Sequence, residues 1–384
     1  MKCDELFRVR QGLHRASVGQ RWQTRRRKLL AGVTVWSLAL LVPAGLVFAP
    51  SRASAQGGFD QQAVAKFYGG KAVKIVVGLG AGGSYDITAR AISRSLGKHI
   101  PGNPVVIVDN LPGAGGLLAM NQVNNAMPKD GTVIGSVGGP ILANQVFGHP
   151  GVRFDANKMH VLSSVAPITH MLIVTRQSGV TKLDELLGAN PTKQVKLGST
   201  AQPSPIYNSA ILSREAVGLN FQIVTGYDGF AKVKLALEQN EINAAFDSID
   251  ELRGLYRDKI ESGDWKILAA VNDGPHPRAP DVPYLAALAK SDAAREMFRL
   301  GAILPLRFAF LYFLASDVPP ERAKALGSAF DKTLADPEFL AEMEKVRLVV
   351  DPTPAREVRK LITEFLNMPE AIKTKLRPVM VPGG

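Results

Sequence analysis

Two glycine-rich turns hold the residues of this sequence best suited to gripping a small anion. The first, Gly78-Leu79-Gly80-Ala81-Gly82-Gly83, follows the run Val73-Lys74-Ile75-Val76-Val77 and leads into Ser84-Tyr85-Asp86. Glycines at a strand-to-helix turn expose backbone N–H groups beside the positive end of a helix, which attracts a carboxylate as readily as a phosphate. The same run satisfies G-x-G-x-x-G, and Asp109 ends the next strand, where a dinucleotide fold places its ribose-binding acid. An exported NAD(P)-dependent oxidoreductase is therefore a competing reading. Against it, the chain turns polar immediately after Gly83, and a second glycine turn, Pro112 to Gly116, opens the next helix too. A tight turn capped by Ser84, with no ligand, is the plainer alternative.

Hydroxyl and aromatic side chains come next. Ser199, Thr200 and Ser204 lie in a Ser/Thr/Pro-rich stretch with Ala201, between a strand and a helix, and can hydrogen-bond an anion or simply cap the helix. Tyr227 combines an aromatic body with a polar tip, suited to a pocket wall. Asp247 follows the apolar run Ala244-Ala245-Phe246; facing a cleft it would repel a carboxylate unless it held an amine, a hydroxyl or water. A strand-end cap is its alternative. Arg176, after Met171 to Thr175, offers a bidentate contact if it is not simply exposed.

Signatures of catalysis are missing. His99, His149, His160, His170 and His276 are scattered, with no H-x-x-x-H pair. There is no G-x-S-x-G elbow, phosphate-binding G-x-x-x-x-G-K-[ST] loop or H-E-x-x-H. The expectation is a protein with no catalytic residues, cofactor or metal.

These residues need a scaffold, and its pattern is β-branched runs alternating with helical periodicity, the mark of α/β layers. Val73–Val77, Val105–Val108 and Val133–Val137 read as strands, the last ending at Gly138-Gly139-Pro140. Met171–Thr175, Val195–Gly198, Phe221–Val224, Ala244–Phe246 and Trp265–Val271 follow. Helices are expected after Ser84, over Leu117–Met127, Leu183–Leu187, Pro205–Ala216, Ala231–Gln239 and Glu321–Leu334, and from Asp336-Pro337. Prolines 275, 277, 280 and 283 mark a long irregular crossing, and Phe308–Ala315 is a further apolar run.

The chain has 384 residues and a net charge of +12, but much of that charge sits in an address. Residues 1–55 combine Arg25-Arg26-Arg27-Lys28, an uncharged apolar stretch from Leu29 to Pro50, and Ala53-Ser54-Ala55. This is the pattern of a cleaved signal peptide, and the paired arginines also fit a twin-arginine signal; a membrane anchor is the alternative. Ten Lys or Arg and two Asp or Glu fall there, so about +4 remains on residues 56–384, too little for a nucleic-acid footprint. Cys3, the only cysteine, leaves with it, so the mature chain holds no disulfide and relies on packed cores.

Taken in order, several motifs resemble one family. They are Gly82-Gly83-Ser84-Tyr85-Asp86, Asn110-Leu111-Pro112-Gly113-Ala114-Gly115-Gly116, Pro128-Lys129-Asp130-Gly131-Thr132, Gly226-Tyr227-Asp228-Gly229 and Ala335-Asp336-Pro337-Glu338-Phe339. Together they are similar to the extracytoplasmic solute receptors of the tripartite tricarboxylate transporters, often called the Bug family, from about Gly70 to Leu366. The resemblance implies a type II periplasmic binding protein, a Venus flytrap of two α/β lobes with mainly parallel sheets joined by crossing strands. It implies lobe one from 56–158 and 272–384, and lobe two from 159–271. It also implies a periplasmic monomer that captures a small carboxylate and delivers it to a two-subunit membrane permease; a sensor feeding a signalling kinase is a further alternative. The ligand set it implies is Gly80, Ala81, Gly82, Gly83, Ser84, Tyr85 and Asp86 on one wall, with Gly139, and Ser199, Thr200, Ala201, Ser204, Tyr227 and Asp247 on the other. The chain departs from the commonest family loop, which is proline-rich where Gly78-Leu79-Gly80-Ala81 stands, and Tyr85 replaces a small threonine.

Overall fold

The computed structural model describes residues 58–189, 191–200, 204–227 and 229–380, which fall in one compact unit. The expected signal segment, Ala201 and Asp228 lie outside the described residues. Among the described residues no helix is long and apolar enough to cross a membrane.

Strands β1 (Ala72–Val77), β2 (Val105–Asn110), β3 (Val133–Gly138), β4 (His160–Ser164), β10 (Phe310–Leu314) and β11 (Thr353–Pro354) form one sheet, in the order β11-β4-β10-β3-β1-β2. Strands β5 (His170–Thr175), β6 (Lys196–Thr200), β7 (Gln222–Tyr227), β8 (Ala244–Ser248) and β9 (Trp265–Ala270) form the other, ordered β7-β6-β8-β5-β9. Position in the sheet explains the sequence of each strand. Central β1 is covered on both faces, and Val73, Ile75, Val76 and Val77 are all fully buried. Edge strand β2 alternates instead, leaving Val105 and Ile107 exposed.

The sheets are mixed, which corrects the expectation of mainly parallel ones. β1 runs parallel to β2 and β3, and β6 parallel to β7 and β8, but β10 and β5 run antiparallel to their neighbours. Connectivity is the reason. β4 leaves the first sheet at its carboxyl edge, and β5 enters the second at that sheet's carboxyl edge. A strand entering there must run against the strands that end there. β9 and β10 repeat the relation on the return.

Strand order also removes the dinucleotide reading. That fold winds its first three strands in one direction, whereas here β2 and β3 flank β1 on opposite sides. The reversal opens a crevice at the carboxyl ends of β1 and β3, the position where open α/β sheets bind ligands.

Two crossings join the sheets, residues 165–169 and 271–309. They are tied together where Ile168 N–H donates to Leu306 O at 2.9 Å, and the start of the return is held to β5 where Val271 N–H donates to His170 O at 2.8 Å. Taking each sheet with its helices as a lobe, β4 belongs with the first, so the outward crossing lies beyond the 158/159 division drawn from sequence. The helix Ala355–Leu366 packs on β4, whereas the last described helix, Glu370–Met380, packs on Asp292–Phe298 and Pro205–Leu212 beside the second sheet.

Among the described residues three apolar clusters make up the core. One covers a face of the first sheet under Ser84–Leu96 and Pro320–Leu334, and another a face of the second under Phe230–Glu238 and Ile249–Gly254. The largest is continuous from Val137, Leu311 and Phe313 in the first sheet to Leu172, Leu197 and Phe246 in the second. The lobes therefore share apolar core as well as connections.

Candidate ligand-binding cleft

Both crossings start and finish at carboxyl edges, so these edges face the same inter-lobe region. They end in Val77, Asn110 and Gly138 on the first sheet and Thr200, Tyr227 and Ser248 on the second.

On the first edge, Gly80, Ala81, Gly82 and Gly83 are exposed. Gly82 has φ +82°, a left-handed conformation that glycine adopts without the penalty of a Cβ. The helix Ser84–Leu96 starts at Gly83, and no side chain caps it. Ser84 is therefore not the cap that the plain-turn alternative required. An α-helix leaves its first four N–H groups without intrahelical partners, and here no capping side chain competes for them. Tyr85 forms a wall: its ring stacks on Phe310 with centroids 4.4 Å apart, and its hydroxyl donates to Ala309 O at 3.1 Å. Burial pushes its phenol pKa up.

Asp86 and Gly139, both expected beside ligand, are occupied otherwise. Asp86 is 3% exposed; its carboxylate accepts from Gly82 N–H at 2.9 Å and Arg90 Nε at 3.0 Å. Arg90 in turn donates to Asn110 Oδ1, and Asn110 Nδ2 to Leu79 O, so the whole loop is tied from beneath. Burial opposes the Asp86 charge, but Arg90, Gly82 N–H and Asn110 outweigh it and hold the carboxyl below the usual range. Gly139 is buried; a Cβ there would lie 2.5 Å from Phe308 Cδ2 and 2.6 Å from Pro305 O. It permits the close approach of the return crossing to β3.

On the second edge, Thr200 and Tyr227 are neighbours in the β6–β7 register. Thr200 Oγ1 donates to Ser204 Oγ at 2.7 Å, and Ser204 caps Pro205–Leu212 by accepting Tyr207 N–H at 3.2 Å. Tyr227 is half-buried, and burial with nearby Glu241 raises its pKa. Ser199 is fully buried, and its Oγ has no partner.

Asp247 turns away from this group. It lies on the face of β8 covered by Phe230–Glu238 and Ile249–Gly254, 3.8 Å from buried Lys234, which also pairs with Glu251. The Lys234 ammonium lies 4.5 Å from the ring centroids of both Phe230 and Tyr256. Burial, reinforced by Glu251, drives the Asp247 carboxyl well up against the pull of Lys234. Arg176 lies at the opposite, amino edge of the sheet, exposed and bonded to Ser262 O.

Sequence reasoning missed His170, Asn208, Ser136 and Tyr312. His170 is 5% exposed, with Nδ1 2.8 Å from Ser209 Oγ, and burial pushes its pKa down to about 4. Asn208 is 2% exposed, and neither amide atom has a partner. Ser136 and Tyr312 oppose each other across β3 and β10, both fully buried, with their hydroxyls facing one another. Only the position of His170 next to the prolyl stretch 165–169 hinted at a cleft role; the others sit in apolar runs that read as core. Among the described residues no group of three or more His, Cys, Asp or Glu could hold a metal ion.

Comparison with known proteins bears on this arrangement. Residues 88–377 match the model of the tripartite tricarboxylate transporter family receptor. A UPF0065 protein of Cupriavidus necator is 24% identical over 319 residues, 82% of this chain and 90% of that protein. Another from Bordetella pertussis is 26% identical over 217 residues, 55% of this chain, and the match spans only 63% of that relative's length. Among solved structures, the periplasmic binding protein BugD superposes with a TM-score of 0.62 at 18% identity, covering 81% of this chain and 98% of that one. MatC from Rhodopseudomonas palustris with bound malate gives 0.57 at 17% identity, over 81% and 99%. At such identities these likenesses establish the fold alone: two α/β lobes arranged as in periplasmic binding proteins.

Proposed function

The chain belongs to the tripartite tricarboxylate transporter receptor family, and from that premise we propose that it captures a small carboxylate between its two carboxyl edges in the periplasm and passes it to a two-subunit membrane permease. Receptors of this family bind solutes and are not enzymes. The observation that carries the carboxylate is the Gly80–Gly83 turn. It places a helix start with no side-chain cap at the point where the first sheet reverses its winding. Malate in the MatC structure supports the same ligand class. Binding would draw the lobes together through contacts made to both edges only in the closed form. Export through the segment 1–55 brings the receptor to its permease.

Thermal shift of the purified protein against mono-, di- and tricarboxylates, amino acids and NAD(P) tests the reading. A ligand at a hundredfold over its Kd stabilises the fold by about 2.7 kcal/mol, so binders stand out. Carboxylates should shift the melting temperature; a response to NAD(P) alone would sink the proposal. Co-purification of the liganded receptor with a membrane permease would test the second half.

A further inference from the structure

We infer that the second lobe receives an uncharged hydrogen-bonding end of the solute, so that the preferred ligand is a monocarboxylate with a distal amide or hydroxyl rather than a dicarboxylate. This deepens the carboxylate reading and rests on it.

Three buried polar atoms of the second lobe, on Ser199 and Asn208, lack partners. Leu197 faces the shared core with Ile206 and Ala210, so Ser199, two residues on, points the same way, toward the helix Pro205–Leu212. Its hydroxyl is buried and unpaired. Asn208 lies on that helix one turn beyond its cap, buried, with both Oδ1 and Nδ2 unpaired. Helical side chains lean toward the N-terminus of their helix, so the amide is directed toward the Ser204 turn, where β6 delivers the chain. His170, the first residue of β5 on this edge, is held by Ser209 from the same helix. Unpaired buried polar groups are rare in folded proteins, and three such atoms beside one helix start call for a guest.

The chemistry of that guest follows from the donors and acceptors present. The Asn208 amide offers both a donor and an acceptor; a carboxylate can only accept, whereas an amide or hydroxyl answers both. The burial that keeps His170 neutral denies this edge an imidazolium. Lys234, on the opposite face of β8, is committed to Asp247 and Glu251, and Arg278 to Asp250. A second carboxylate buried here would lack a counter-charge. The anionic end of the solute therefore belongs at Gly80–Gly83 on the first lobe.

Calorimetric titration with matched pairs tests this directly: succinate against succinamate, and glutarate against glutaramate and 4-hydroxybutyrate. The half-amide or hydroxy acid should bind roughly tenfold or more tightly than its dicarboxylate partner. Asn208→Leu and Ser199→Ala should bring the ratio close to one. Both should fold, since replacing an unpaired buried polar group by an apolar one is close to neutral or stabilising. Tighter binding of the dicarboxylates, or a preference untouched by either substitution, overturns the inference, leaves the two residues holding water, and spares the carboxylate reading. If no carboxylate of any kind binds, both fail together.

Discussion

Arg90 reaches back one helical turn to Asp86, its Nε 3.0 Å from the oxygen that also accepts the Gly82 N–H. The pair makes the exposed glycine turn a fixed feature of the first lobe, although neither residue needs to touch a solute.

Asp86→Asn should therefore weaken carboxylate binding while lowering stability by about 1–3 kcal/mol at neutral pH. The sign of its pH dependence follows from the lowered carboxyl pKa. The folded state binds this proton less readily than the unfolded chain. The stabilisation is thus full above the unfolded value, about 3.9, and fades as pH falls below it. Urea melts of both proteins from pH 7 to pH 3 should converge in acid; parallel curves would disprove the account.

His170 should confer a second acid sensitivity, at higher pH. Its pKa lies at about 4 when folded against an ordinary 6.5, so the unfolded chain takes up the proton first. Stability should be complete above about pH 6.5 and fall toward pH 4 with a slope of up to ~1.4 kcal/mol per pH unit. His170→Gln should flatten that window. An unchanged slope in the variant would assign the effect to another group.

Lys234 is the only cation shown bridging Asp247 and Glu251 among the described residues. Lys234→Met should cost up to about 3 kcal/mol, because buried Asp247 and half-buried Glu251 lose the cation that lies between them. Adding Asp247→Asn and Glu251→Gln should restore part of the loss. Denaturant midpoints for the single and triple variants decide the matter, and a harmless single substitution would rule out the buried cluster.

Arg347 connects the lobes outside the crossings. It follows the helix Pro337–Lys345, which packs on Ser84–Leu96, and donates from Nη1 to Gly254 O at 2.7 Å on a helix of the second sheet. Its φ is +57°, unfavourable for a residue with a Cβ. Arg347→Ala should weaken ligand affinity a few-fold, on the order of one lost hydrogen bond, without altering ligand preference. Arg347→Gly should show the same affinity loss but exceed the alanine variant in stability by about 1 kcal/mol. Calorimetry and melting curves separate the two effects; equal stability would disprove the strain.

Local signals were legible where the residues making a feature are close in sequence. Asp130 accepts from both the backbone N–H and the hydroxyl of Thr132, and Asp336 caps Pro337–Lys345, so two of the family motifs are short-range hydrogen-bond devices. The turn Gly78–Gly83 was readable for the same reason. β4 was not, because only Val161 and Leu162 in His160–Ser164 are apolar, and its burial comes from β10 and Ala355–Leu366, far along the chain.

The glycine turn, the alternating strands and helices and the family motifs could all be determined from the sequence by itself, since each depends on spacing along one short segment. Tertiary structure alone decided that β5 and β10 run antiparallel, that β2 and β3 flank β1, and that Asp86 and Asp247 serve internal ion pairs. It alone brought His170, Ser199 and Asn208 to one helix start. The physical reason is common to all of these. The partners that bury a side chain, satisfy it or leave it unpaired arrive from distant parts of the chain, and strand direction depends on which edge a crossing enters.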